Sequence, residues 1–154
     1  VIEGIKLKKL KRIDDERGYL MEILRKDDEI FEEFGQAYIT CVNPDYVKGW
    51  HMHENQTDHF VCVKGNAKVV LCDKRKNSKT FNEVNEFLLG EKEENRILLK
   101  IPRKVMHGFE SADENMALIL NFPTKTYDYV NPDEIRLAFN SKEIAFEWKA
   151  KKGG

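Results

Sequence analysis

The chain has 154 residues, the length of one ordinary domain, and its 41% hydrophobic and 10% aromatic content is enough for a single core. Lys and Arg number 26 against 27 Asp and Glu, so no global field draws the protein to nucleic acid or anionic lipid, and partners have to be recognised locally. No apolar run approaches the roughly 20 residues of a membrane helix, and nothing resembles a signal peptide, so a cytoplasmic protein is expected. Cys41, Cys62 and Cys72 are odd in number and lack Cys-x-x-Cys spacing, which predicts reduced thiols rather than a disulfide frame or a zinc knuckle.

In chain order, short β-like runs separated by turn residues dominate. Residues 2–7 form the first, and the basic stretch over 6–12, interleaved with Leu7 and Leu10, reads as a solvated strand edge. A second run covers 19–24. Residues 27–34 carry the main helical signal, with Asp27 or Asp28 as cap and Gly35 just past the end. Strands are then predicted at 37–42, 60–63 and 67–72, the last two joined by a tight turn at Lys64-Gly65-Asn66. The run 96–101 stops at Pro102, and 116–121 closes the series. With no repeat, low-complexity tract or linker, residues 1–154 form one domain. Many antiparallel strands with one or two short helices imply an all-β jelly roll whose barrel holds a pocket.

All four histidines lie in two short stretches, His51, His53 and His59 in the first and His107 in the second. Imidazole moves protons or binds metal near neutral pH, so this concentration points to one site. His59 directly follows Asp58 and in a strand would face the other way, where packing is its expected role. The aromatics Trp50, Phe60, Phe109 and Phe122 are expected to fill the barrel wall.

The spacing His51-x-His53, four residues, Asp58, six residues, Gly65 resembles the first cupin motif, with Asp58 where that motif has Glu. Pro102 followed five residues later by His107 resembles the second, with Lys104 where Gly is usual. Further segments narrow the resemblance: Asp15-Glu16-Arg17-Gly18-Tyr19, Lys48-Gly49-Trp50-His51, Ile101-Pro102 through His107-Gly108-Phe109, Tyr129-Val130-Asn131-Pro132, and Phe139-Asn140-Ser141 through Trp148. In that order they are similar to the dTDP-4-dehydrorhamnose 3,5-epimerases, and the His-x-His pair also resembles the related dTDP-sugar 3,4-ketoisomerases.

That resemblance implies an enzyme acting on a nucleotide-linked 4-keto-6-deoxysugar in deoxysugar or cell-surface polysaccharide synthesis. The ketone acidifies the neighbouring C–H bonds; a base removes one hydrogen, and the enolate is reprotonated on the other face or another carbon. His51 would be the base. Tyr129 is the first choice for the acid and Tyr38 the second. Arg17 would grip the diphosphate, Lys48 would stand in for a second arginine, and Glu22 and Gln36 would contact the base or sugar. A homodimer is also implied.

Two departures touch the reaction centre, because Asp58 replaces a lysine near the substrate's ketone oxygen and Ser141 replaces an aspartate that supports the base. Loss of one donor to a developing oxyanion costs about 3 kcal/mol, so standard 3,5-epimerisation is not expected. Three outcomes stay open. In the leading one, Asp58 hydrogen-bonds an imidazole, His53 or His107 polarises the carbonyl, and no cofactor is needed. In the second, His51, His53, Asp58 and His107 hold a divalent metal. In the third, the pocket binds a sugar nucleotide without turnover.

Overall fold

Strands with one apolar face need a second sheet to cover it. The computed structural model, which describes residues 1–154, meets this need with two facing antiparallel sheets and a small hairpin. The strands are β1 (Lys6–Lys9), β2 (Arg12–Asp15), β3 (Gly18–Met21), β4 (Tyr38–Val42), β5 (Tyr46–Met52), β6 (Asp58–Lys64), β7 (Asn66–Asp73), β8 (Val84–Gly90), β9 (Ile97–Ile101), β10 (Val105–Ser111), β11 (Ala117–Asn121), β12 (Ile135–Arg136) and β13 (Lys152–Gly153). One sheet runs β1-β9-β6-β11-β4 and the other β12-β5-β10-β7-β8, with β13 added in parallel to β5. Strands β2 and β3 form the hairpin. The result is the jelly roll that the sequence implied.

Each of the seven predicted strands overlaps an observed one, but the first starts four residues late. Gly4 adopts φ +93°, and the turn it makes tucks Ile2 into the core. β1 is the edge of its sheet, pairing only with β9, which fits the solvated basic edge.

The helix predicted over 27–34 does not form, and the one helical element is a 3-10 turn at Glu93–Asn95. Tertiary contacts divert the groups a helix would have used. Asp28 accepts the Arg25 backbone N–H and the Lys8 ammonium, and the Ile30 carbonyl faces a ring nitrogen of His59. Ile30 itself is buried with Leu10, Val61 and Leu98 on the outer face of the first sheet. These anchors outweigh a weak local propensity.

Period-2 geometry decides what points inward. On β6, Asp58, Phe60 and Cys62 share the inner face, while His59 and Val61 face outward. On β10, Val105, His107 and Phe109 point inward and Met106 outward. Phe60 lies edge-on to both Phe109 and His107, at 5.9 and 5.8 Å between ring centroids, so the apolar column ends directly beneath the polar residues. No helix is long and apolar enough to cross a membrane.

Candidate active site

Neighbouring strands β5 and β10 place His51 directly opposite His107. The register then shifts, pairing Gly108 with Gly49 and leaving Trp50 as the extra residue of a bulge. Trp50 thereby faces the outer cluster around Trp148, while His51 turns inward. The bulge needs both glycines: a Cβ at Gly49 would come within 2.8 Å of the Gly108 Cα. His53 follows β5, and its carbonyl accepts the Lys104 N–H at 2.7 Å. Lys104 holds φ +62°, so the left-handed turn is kept although lysine occupies the usual glycine position. Asp58 comes from the opposite sheet.

The buried Asp58 carboxylate is the hub. Its Oδ1 accepts from Gln56 Nε2 at 2.7 Å and Asn121 Nδ2 at 3.0 Å. Its Oδ2 lies 3.3 Å from the Nε2 of both His53 and His107. Each of those rings directs its Nδ1 at a carbonyl, Asp133 for His53 (2.6 Å) and Val105 for His107 (3.0 Å). A carbonyl only accepts, so both Nδ1 atoms carry hydrogen, and a bond from Nε2 to the carboxylate requires another proton in the cluster.

Charge follows from these contacts. Burial would raise the Asp58 carboxyl, yet His107 and His53 hold it far below the usual carboxylate range. Burial would depress His53, but the Asp58 hydrogen bond and charge, helped by Asp133, raise it to about 9. His51 goes the other way. Burial, aided by the positive potential of His107, lowers it to about 4, with Glu134 opposing. Near neutral pH the site therefore pairs an uncharged imidazole with a charged one two residues away.

Tyr38, at the start of β4, lies across from Asn121, whose Nδ2 donates to the phenol oxygen at 2.9 Å. With that lone pair occupied, the Tyr38 O–H can turn elsewhere. Burial first and the Asp58 charge second push its pKa up to about 12, so it keeps its proton.

A cavity of about 820 Å³ opens beside this cluster, walled by Tyr38, His53, Gln36, Tyr127, Tyr129 and Glu134 among others. Its size falls within the usual range for small-molecule sites. Of the residues expected from sequence, Tyr38, His53, Gln36 and Tyr129 line the cavity, whereas Asp58 and His107 lie behind His53, to which Asp58 is joined. Tyr129 stands 89% exposed, stacked edge-on against Tyr127, and Gln36 accepts the Tyr127 N–H. His51 is set behind the wall, touching Glu134. Arg17, Glu22 and Lys48 do not line the cavity: Arg17 pairs with Asp15 on the exposed hairpin, Glu22 with Arg25, and Lys48 donates to Thr40. Ser141 borders a different, smaller cavity with Phe146 and Trp148.

For metal, the suitable atoms of His53, Asp58 and His107 lie within 4.8 Å of one another; His51 is not part of that group. Three of the four expected ligands are thus assembled. Sequence reasoning missed Asn121, Gln56 and Glu134. Asn121 had a readable signal, a polar residue on the inward phase of Ala117, Ile119 and Asn121, whereas Glu134 sits in a charged loop without pattern.

A family model described as dTDP-4-dehydrorhamnose 3,5-epimerase matches residues 1–153. The spore coat polysaccharide biosynthesis protein SpsL of Bacillus subtilis is 38% identical over 148 residues, covering 96% of this chain and 97% of that protein. The probable low-salt glycan biosynthesis epimerase Agl13 of Haloferax volcanii is 36% identical over 151 residues, covering 97% and 96%. Among solved structures, the dTDP sugar isomerase of Desulfovibrio desulfuricans G20 superposes with a TM-score of 0.90 at 32% identity, covering 96% of this chain and 92% of that one.

Proposed function

Because the chain belongs to the dTDP-4-dehydrorhamnose 3,5-epimerase family, we propose that it is an isomerase or epimerase that moves a hydrogen beside the ketone of a nucleotide-linked 4-keto-6-deoxysugar. The names of SpsL and Agl13 support a place in polysaccharide or glycan synthesis. One observation carries the chemistry: the buried Asp58 carboxylate lies 3.3 Å from the Nε2 of both His53 and His107, which favours a charged His53 two residues from an uncharged His51.

In the first step the unprotonated nitrogen of His51 takes a hydrogen from the carbon next to the ketone. The C–H pair becomes the enolate, and its charge falls on the ketone oxygen. The His53 imidazolium stabilises that oxyanion through its charge, its two N–H groups being held by Asp133 and Asp58. Tyr38 is our choice of acid over Tyr129, because it is anchored by Asn121, whose Nδ2 also bonds Asp58. Its O–H returns a proton to carbon, on the other face or at another position; the phenolate then recovers a proton from solvent and His51 releases the one it took. The step needs no redox partner.

Incubation with dTDP-4-keto-6-deoxyglucose in deuterated water tests this, since enolisation exchanges the acidic hydrogens whatever the product. Deuterium at C3 or C5, retained after chelator treatment and dialysis, is expected. Loss of exchange with the chelator would favour a metal held by His53, Asp58 and His107; no exchange with several ketosugar nucleotides would leave a binding protein.

The cavity wall carries Glu54, Asp128, Asp133 and Glu134 against Lys125 and His53, a poor balance for a diphosphate. The reading therefore includes a homodimer in which Arg17, carried on a hairpin away from its own cavity, serves the cavity of a second copy. Ile13, Tyr19 and Leu20, exposed on that hairpin, are apolar surface for such pairing. Sedimentation is expected to give a dimer, and Arg17→Ala to weaken dTDP binding by about tenfold with kcat little changed. A monomer with unaltered binding in the variant would remove this part.

A further inference from the structure

The base needs a partner to hold its ring, and Ser141, where the family resemblance would put one, bonds only to nearby backbone. Another carboxylate is close. Glu134 immediately precedes β12, which pairs with β5 so that Arg136 lies opposite His51. Glu134 and Arg136 are two residues apart, and both Glu134 oxygens accept from Arg136 Nη2, at 3.0 and 3.1 Å. The His51 Nδ1 is buried without a hydrogen-bond partner, and Glu134 Oε1 stands 3.3 Å from it, off the line of the N–H.

We propose that Glu134 is the positioning residue of His51, accepting a hydrogen bond from Nδ1 and so leaving Nε2 unprotonated toward substrate. The assignment rests on His51 being the base. Contacts of this kind are often long without substrate and shorten when it binds. Arg136 fixes the carboxylate in place, and because Glu134 also walls the cavity, a substrate pressing on that wall would bring it into line. The charged groups facing His51 are Glu134 and Arg136 from the β12 segment, His107 from β10 and His53 from its own segment.

Two measurements test it. Long-range proton–nitrogen NMR of the histidines near neutral pH is expected to show His51 hydrogen on Nδ1 in the wild type. In Glu134→Ala that preference should be lost, with kcat for exchange down on the order of 10²-fold and KM little changed; added formate and the conservative Glu134→Asp should each restore part of it. An unchanged tautomer and an unchanged kcat in Glu134→Ala would overturn the assignment. Because the tautomer is read without turnover, absence of exchange in the wild type would sink the proposed reaction and leave this test standing.

Discussion

Replacement of His51 by Asn is expected to lower deuterium exchange by about 10²–10⁴-fold while substrate binding is retained. Asparagine keeps a polar side chain of similar reach but has no nitrogen able to take a proton from carbon. The ring it replaces sits on β5 opposite His107, an arrangement set by the Trp50 bulge and the close approach of Gly49 and Gly108, so backbone geometry should survive the change. The wild-type pH profile follows from the same site. A base works when unprotonated, and His51 is lowered to about 4, so activity should fall only as pH drops toward that value. The oxyanion-stabilising cation works when protonated, and His53 is raised to about 9, so activity should fall again as pH rises through that value. A broad plateau between about 4 and 9, rather than a limb near the ordinary imidazole value, is the expected curve. Full exchange in His51→Asn would mean that another group removes the hydrogen.

What could be read in advance depended on whether local pattern or tertiary contact decides each element. The runs around Phe60, Val69 and Ile119 alternate or stay apolar between turn residues, and all appear as strands. β5 and β10 carry the histidines and did not read as strands. Gly49 and Gly108 weaken the strand signal, the bulge at Trp50 breaks the alternation, and β10 is buried on both faces, so no polar phase marks it. The residues 27–34 failed in the opposite sense, because a plausible cap was recruited by Lys8 and the Arg25 backbone instead. For the site, residue type and spacing indicated the histidines and Asp58, whose chemistry is specific. They did not indicate Glu134, because a carboxylate in a charged loop gains meaning only when β12 pairs with β5. Nor could spacing show that Arg17 and Glu22 would lie on a hairpin outside the cavity of their own chain.

Asp58→Asn is expected to disable the site with every histidine still present. The carboxylate is buried, fixed on one oxygen by Gln56 and Asn121, and faces two imidazoles with the other. An amide of the same shape can keep some of these contacts but removes the negative charge. Burial then acts on His53 with only Asp133 opposing it, and the ring holds its proton less tightly. The site loses its imidazolium charge, which should cost about 10²–10³-fold in kcat, the loss typical of one oxyanion-stabilising group. The alkaline limb near 9 should vanish with it. Stability changes in a matching way. The Asp58 carboxyl is held below its ordinary 3.8, so its contribution is present above that value and is lost as pH falls into the acid range. His53 is raised from 6.5 to about 9, so its contribution is complete below 6.5 and is lost as pH rises through about 9. Thermal melting of the wild type should therefore decline at both ends of the range. The variant should melt lower near neutral pH, by the equivalent of about 3 kcal/mol, the lower end of the cost of unpairing a buried charge, because His53 can discharge. It should also show a flatter dependence on pH. A variant that kept both the wild-type melting curve and the limb near 9 would show that the cation in this cavity does not depend on Asp58, and the division of labour between His51 and His53 would fall with it.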